Sequence, residues 1–419
     1  MKKEFHMGNR ERLYQGLAEG SLMVLFSGTE KRKTNDEYYP FYTDRNFLYL
    51  TGLDSKEFIL LVQKEGENQT TERIYILPPD KLKERWTGER LKPEQVQEIS
   101  GISQVSYVDQ FPADFHRLAG SGNYESLYLD LSKAEAGDED KEAHRFFRKV
   151  FPEYPWLTVK DVSPLVKRLR LIKQPCEIEA MREAEKITCA GITAVMKASR
   201  PGMFEYQYKA EFEYALGQFG PQGPAFPSII SAGKNNFCIH YYSYRGQARD
   251  RDMILNDVGA WYDNQMNDVS RGFPCNGTFS ERQRLLYECA LKTSNHMFEI
   301  IRPGMKMADV DLTARKYNCE MLREAGVLKS YDEIGTYMWH GGAHHVGYDV
   351  HDVVETPEVI GPGMVFCVDI GIYHEDWGIG FRLEDNCLVT ENGCENLSVM
   401  IPRTIEEIED TMRKENFHF

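Results

Sequence analysis

Two strand-forming runs in the second half of the chain each end in carboxylates. Met253-Ile254-Leu255-Asn256-Asp257-Val258-Gly259 is followed, eleven residues after its aspartate, by Asp268-Val269-Ser270-Arg271. Gly and Asn residues between them permit a hairpin, which predicts that Asp257 and Asp268 meet across paired strands. Like charges held face to face repel unless a cation lies between them. The pattern returns in Val368-Asp369-Ile370-Gly371 and Arg382-Leu383-Glu384-Asp385, so Asp257, Asp268, Asp369 and Glu384 are expected to converge.

Between the two runs lies His340-Gly-Gly-Ala-His344-His345-Val-Gly-Tyr-Asp-Val-His351, which holds four of the eleven histidines. The His340/His344 spacing suits a zinc-binding helix, but Gly341-Gly342 disfavours a helix and no Glu follows His340. A strand or loop delivering one imidazole ligand and two outer-shell imidazoles fits better. Four carboxylates and one imidazole make an oxygen-rich donor set, favouring Mn²⁺ or Co²⁺, with Fe²⁺ and Zn²⁺ as alternatives. Two such ions sharing carboxylates would activate a water and polarise a carbonyl, the chemistry of amide hydrolysis.

The elements that position these residues are legible as a duplication. Arg200-Pro201-Gly202-Met203 and Arg302-Pro303-Gly304-Met305 lie 102 residues apart, each ending one helix and preceding another. Pro175 and the Ser280/Gln283 capping box mark the starts of the two leading helices. The further helices are expected over Glu205–Leu216 and Ala308–Glu324, each followed by one of the two acidic strands. A boundary near Lys160–Lys173 separates this duplicated α/β part, residues 170–419, from residues 1–165. In that first part β-rich runs (Leu22–Phe26, Phe58–Val62, Ile74–Leu77, Leu127–Leu131) alternate with helix-compatible stretches such as Lys92–Ile99, as in an α/β domain. Gly137–Glu142 reads as a solvated acidic loop.

Composition excludes several classes. The chain has 419 residues and a net charge of -15, with -2 in residues 1–170 and -13 in residues 171–419, so a phosphate-neutralising surface and a nucleic-acid partner are not expected. No apolar run approaches the ~20 residues of a membrane span. No secretory signal is visible at Met1–Arg12, and nine cysteines scattered between Cys176 and Cys394 suit a reducing compartment, so a cytoplasmic location is expected.

Taken together, Asp257-Val-Gly with Asp268, His340-Gly-Gly-Ala-His344 with Val350-His351-Asp352, Val368-Asp369-Ile370-Gly371 and Arg382-Leu383-Glu384-Asp385-Asn386 resemble the dimetal motifs of the pita-bread peptidases. The resemblance is to Xaa-Pro aminopeptidases (aminopeptidase P) and prolidases. Asn46–Gly52 and Trp86-Thr-Gly-Glu-Arg90 resemble the creatinase-like N-terminal domain of aminopeptidase P. The resemblance implies an α/β (α+β) fold, with a creatinase-like N-terminal α/β domain and an internally duplicated pita-bread catalytic domain.

It further implies that Asp257, Asp268, His344, Asp369 and Glu384 hold two divalent metal ions, Mn²⁺ foremost, and that Asp369 is the general base. His340 and His351 would assist around the developing oxyanion, while His240, Arg382 and Tyr373 would face a proline-containing peptide substrate. Trp86 is read as a core or subunit-contact residue or as a specificity lid, and a homodimer or homotetramer is implied. One departure stands out: the family motif reads Glu-Pro-Gly where this chain has Asp369-Ile370-Gly371. Gly272 also replaces a frequent Thr. The leading expectation is a metallo-aminopeptidase that cleaves before proline. The alternatives are a dipeptide-restricted prolidase and a catalytically impaired pita-bread binding protein.

Overall fold

The computed structural model describes residues 1–220, 222–352, 354 and 357–414, and the last five positions of the expected catalytic domain lie outside them. The chain divides into two compact units, Met1–Arg170 and Leu171–Phe419.

In the first unit the β-rich runs form β1 (Ser21–Phe26), β2 (Ile59–Gly66), β3 (Gln69–Ile76), β4 (Gln104–Tyr107), β5 (Ser126–Leu129) and β6 (Thr158–Asp161). They make one mixed sheet in the order β4-β3-β2-β1-β5-β6, in which β1 runs antiparallel to β2 and parallel to β5. Nearly all of β1 is buried, as a strand covered on both faces requires. Leu22 and Val24 share a core with Phe111, Phe115, Leu127 and Leu129.

The helices of this unit are α1 (Lys3–Gln15), α2 (Arg45–Thr51), α3 (Lys81–Thr87), α4 (Pro93–Ser100), α5 (Phe111–Ala119), α6 (Glu142–Glu153) and α7 (Ser163–Leu171). The Asp44 carboxylate accepts from the Asn46 and Phe47 N–H groups and starts α2, and Gly52 at φ 70° ends it. No residue of α3 is buried, and Trp86 on it is 84% exposed, which overturns the core reading of that side chain.

The second unit shows the duplication. Pro175 stands in the first turn of α8 (Pro175–Ala198), and Gly202 at φ 89° follows its end before α9 (Glu205–Gly217). Then come β7 (Ile229–Ala232), β8 (Met253–Val258), a small hairpin of β9 (Trp261–Tyr262) and β10 (Gln265–Met266), and β11 (Val269–Pro274), with sheet order β11-β8-β7. Asp263 and Asn264 carry φ of 45° and 67° at the tip between β9 and β10, a conformation that short polar side chains tolerate.

The second copy opens with Ser280 capping α10 (Glu281–Ile300). Gly304 at φ 88° precedes α11 (Ala308–Glu324). β12 (Val365–His374), β13 (Ile379–Val389) and β14 (Cys394–Asn396) pair in that order, and α12 (Ile405–Arg413) closes the described chain. A single core draws on both copies, including Ile192, Phe212, Ile254, Phe273, Leu286, Phe366, Ile370 and Phe381. No described helix is long and apolar enough to cross a membrane.

Candidate metal centre

Strand alternation sorts the chemistry onto one face. In the β12/β13 ladder, Asp369 stands directly opposite Glu384, Cys367 opposite Asn386, Gly371 opposite Arg382, and Tyr373 opposite Gly380. These pairs share a face because side chains two apart on a strand do. The β8/β11 ladder differs from expectation: Asp257 faces Ser270, and Asp268 lies just ahead of β11, two residues from Ser270. Asp257 and Asp268 are therefore diagonal neighbours rather than a facing pair, because the turn through β9 and β10 sets the register two residues further along.

The two hairpins are tied together at these residues. Ser270 Oγ–H donates to Glu384 Oε2 at 2.9 Å, and the Asn386 amide brackets Asp268, donating to its carbonyl and accepting from its N–H. Behind them Arg271, fully buried, donates to the Glu384 carbonyl at 2.8 Å and to Asp385 Oδ1 at 2.7 Å, while Arg403 holds the other Asp385 oxygen at 2.7 Å. Burial opposes ionisation of Asp385, but the two guanidiniums outweigh it and hold the carboxyl below its usual range.

His340 and His344 arrive on a loop, as the glycines require. A Cβ on Gly342 would lie 2.2 Å from the Asp369 Cβ, and one on Gly371 would lie 2.7 Å from His340 Nε2, so only glycine lets loop and strand approach this closely. His344 Nε2 lies 3.5 Å from Asp268 Oδ2 and 3.6 Å from Glu384 Oε1. Two donors about 2.1 Å from one ion, at angles near 90–110°, are ~3.0–3.5 Å apart, so this spacing fits a shared cation. His340 Nδ1 lies 3.4 Å from Asp369 Oδ2, and its Nε2 is 2.8 Å from Tyr373 Oη. Arg382 donates to Tyr373 Oη at 3.1 Å, ion-pairs with Asp257, and donates to the Ile239 carbonyl at 3.2 Å. His240, next to Ile239, is exposed, and the His351 ring is centred 4.2 Å from His344.

The donor set can be tested for its fit to cations. Asp257 Oδ1, Asp268 Oδ1 and Asp369 Oδ1 are buried and, among the described residues, have no hydrogen-bond partner. Burial, and then the Glu384 charge, push the carboxyls of Asp268 and Asp369 well above the usual range. Burial works against Glu384 too, yet His344, Arg382 and the Ser270 hydroxyl hold it below. Crowded buried carboxylates retain protons for want of countercharge, and divalent cations would supply it. The residues fit.

Sequence reasoning missed several supporting groups. Asp311 on α11 accepts from the Gly342 and Ala343 N–H groups at 2.9 and 3.1 Å, and Arg315, one turn on, donates to the Met338 carbonyl at 2.9 Å. This i, i+4 pair grips the loop that carries His340 and His344, and no local pattern announces it. Ser270 and Cys367 were recoverable, since each lies two residues from an acidic ligand candidate on the same strand face. Behind His351, Lys173 and Asp352 form a buried ion pair at 2.8 Å.

With the geometry in place, comparison identifies the family. Residues 179–391 match metallopeptidase family M24, and residues 6–128 match the aminopeptidase P N-terminal domain. The chain belongs to metallopeptidase family M24. A Haemophilus influenzae Xaa-Pro aminopeptidase is 31% identical to this M24 member over 98% of its chain and 97% of the relative. Among solved structures, Escherichia coli aminopeptidase P with the inhibitor Pro-Leu superposes with TM-score 0.89 at 28% identity over 98% of both chains. A solved Bacillus anthracis chain reaches TM-score 0.97 at 37% identity over 99% of both. The fold is thus the aminopeptidase P type: a mixed α/β N-terminal domain and a duplicated pita-bread domain.

Proposed function

We propose that this M24 member is a Xaa-Pro aminopeptidase that hydrolyses the bond between an N-terminal residue and a following proline. The observation that carries the reading is the column of Asp257, Asp268, His344, Asp369 and Glu384 in a chain aligned end to end with a Xaa-Pro aminopeptidase. These five residues would hold two divalent ions. Mn²⁺ is favoured by the oxygen-rich donors, with Co²⁺, Zn²⁺ and Fe²⁺ as alternatives. Such ions supply an activated water near neutral pH and polarise the scissile carbonyl.

The chain's own residues then divide the work. Asp369, as general base, takes the proton of the attacking water and passes it to the leaving proline nitrogen. Arg382 has only donors, so Tyr373 accepts from it and turns its own hydroxyl proton to His340 Nε2. That leaves His340 Nδ1 protonated, donating to the Gly341 carbonyl at 3.2 Å with Asp369 Oδ2 3.4 Å away, so the ring keeps a proton beside the base. Burial raises the Tyr373 hydroxyl to about 12, so it stays a donor throughout the working range. His351 is assigned to the oxygen that gains charge at the scissile carbon, where a donor has most effect. His240, which is exposed, faces the peptide, while Arg382 and Tyr373 are buried and act on it through Asp257 and His340. An Xaa-Pro bond has no amide hydrogen, so recognition falls on the proline ring and the free amine.

A cytoplasmic location is part of the proposal, supported by the nine scattered, unpaired thiols. A homodimer or homotetramer is proposed on the family resemblance. The test is hydrolysis by Mn²⁺-loaded protein of Xaa-Pro-Yaa, Xaa-Pro and Xaa-Ala-Yaa. The reading expects cleavage of the first above both others. No hydrolysis of any by metal-loaded protein would refute it, and cleavage of the dipeptide alone would make it a prolidase.

A further inference from the structure

β12 carries one more donor than the five-residue set uses. Cys367 precedes Asp369 by two residues, so its side chain emerges on the face that carries Asp369 and lies opposite Asn386, which brackets Asp268. It is fully buried, and its N–H donates to the His344 carbonyl at 2.9 Å, so the loop bearing the imidazole is seated on this residue. The thiol sulfur and one ligand atom from each of Asp268, His344 and Glu384 lie within 4.8 Å of one another. Asp268 is 6% exposed, and its Oδ1 has no partner among the described residues.

We propose that Cys367 is a thiolate ligand of the cation seated by Asp268, His344 and Glu384, making the two metal positions chemically unequal. The inference rests on the metal centre proposed above and deepens it. A thiolate, an imidazole and two carboxylates are the donors of a thiophilic ion such as Zn²⁺ or Co²⁺, whereas a position held by carboxylates alone suits Mn²⁺. Metal entry replaces the thiol proton, which leaves to solvent. The Arg382 guanidinium, buried beside Asp257, offsets part of the added negative charge.

The experiment is Co²⁺ titration of metal-free protein, with bound metal measured by equilibrium dialysis and the near-ultraviolet spectrum recorded in parallel. The proposal expects a thiolate-to-cobalt charge-transfer band that saturates with one equivalent. Cys367→Ser should remove the band, still bind cobalt, and weaken Zn²⁺ binding on the order of tenfold or more while leaving Mn²⁺ binding within about threefold. X-ray absorption on the zinc-loaded wild type needs no variant to fold, and should show a sulfur scatterer at ~2.3 Å. Stoichiometric cobalt without the band, a band retained in Cys367→Ser, or a zinc shell of nitrogen and oxygen only would overturn the thiolate and leave the peptidase reading intact. Failure to bind any metal would remove the centre and this ligand together.

Discussion

The two acidic hairpins descend from one pattern but solve the problem of buried charge differently. In the β8/β11 hairpin, Asp257 faces a serine, its diagonal neighbour Asp268 stands outside the ladder, and Arg382 neutralises Asp257. In the β12/β13 hairpin, Asp369 and Glu384 face each other directly, with no guanidinium between them. Like charges directly opposite on a sheet are destabilising, so the second hairpin holds its repulsion within one facing pair, whereas in the first Asp268 feels Glu384 more than its diagonal neighbour Asp257. Function sits where the local rules of folding are broken: the first hairpin takes the countercharge of Asp257 from Arg382 on β13, and the second is arranged for cations.

The widest separation between the hairpins is expected in the metal-free protein. Asp257→Asn strips the buried Arg382 of its partner and should lower stability by about 3–5 kcal/mol. Asp369→Asn relieves crowding and should raise stability, so denaturant midpoints of the two variants should move in opposite directions. Equal losses in both would erase the contrast.

Next in size is the effect of side-chain length at the base. Gly342 and His340 are packed against Asp369, so the loop is fitted to the shorter acid. Asp369→Glu should therefore lower kcat by ~10–100-fold through misplacement of about 1 Å. Steady-state kinetics decides this, and a faster variant would show that the short acid is a handicap.

The smallest effect at any one pH step lies in the helices behind the hairpins. The 102-residue offset between the two Arg-Pro-Gly-Met turns pairs Glu185 on α8 with Tyr287 on α10, both beneath the Arg271–Asp385 pair. Tyr287 donates to the Arg403 carbonyl, whereas both Glu185 oxygens lack a well-formed partner among the described residues. Burial raises the Glu185 carboxyl to about 8. A carboxyl raised in the folded state contributes most stability while protonated, below its unfolded value near 4.3, and loses that contribution as pH rises through 8. Unfolding free energy should fall by about 1 kcal/mol per pH unit between pH 5 and 8 on this account, and Glu185→Gln should flatten the slope. An unchanged slope would show that Glu185 does not set it.

Much of this contrast was legible in the sequence. The helix ends at Pro201-Gly202 and Pro303-Gly304 follow from proline and glycine backbone limits, and the acidic strands from their short continuous apolar runs. The glycine pair in the histidine loop correctly excluded a helix. Register was not legible: the run from Asp257 to Asp268 contains a second small hairpin, and nothing local fixes how many residues it consumes. Nor was the grip of Asp311 and Arg315 on the histidine loop, since it joins an exposed helix face to a distant segment. Trp86 escaped for a similar reason, because the exposure of one aromatic side chain depends on packing partners that its neighbours in sequence do not reveal.

The central claim is that the carboxylates of both hairpins share two cations. Anomalous scattering from crystals of Mn²⁺-loaded protein measures this directly. The account expects two peaks in the second unit, one in contact with His344, Asp268 and Glu384 and a second among the same carboxylates in contact with Asp257. A map without a peak at these side chains, in protein shown to contain bound metal, would contradict it.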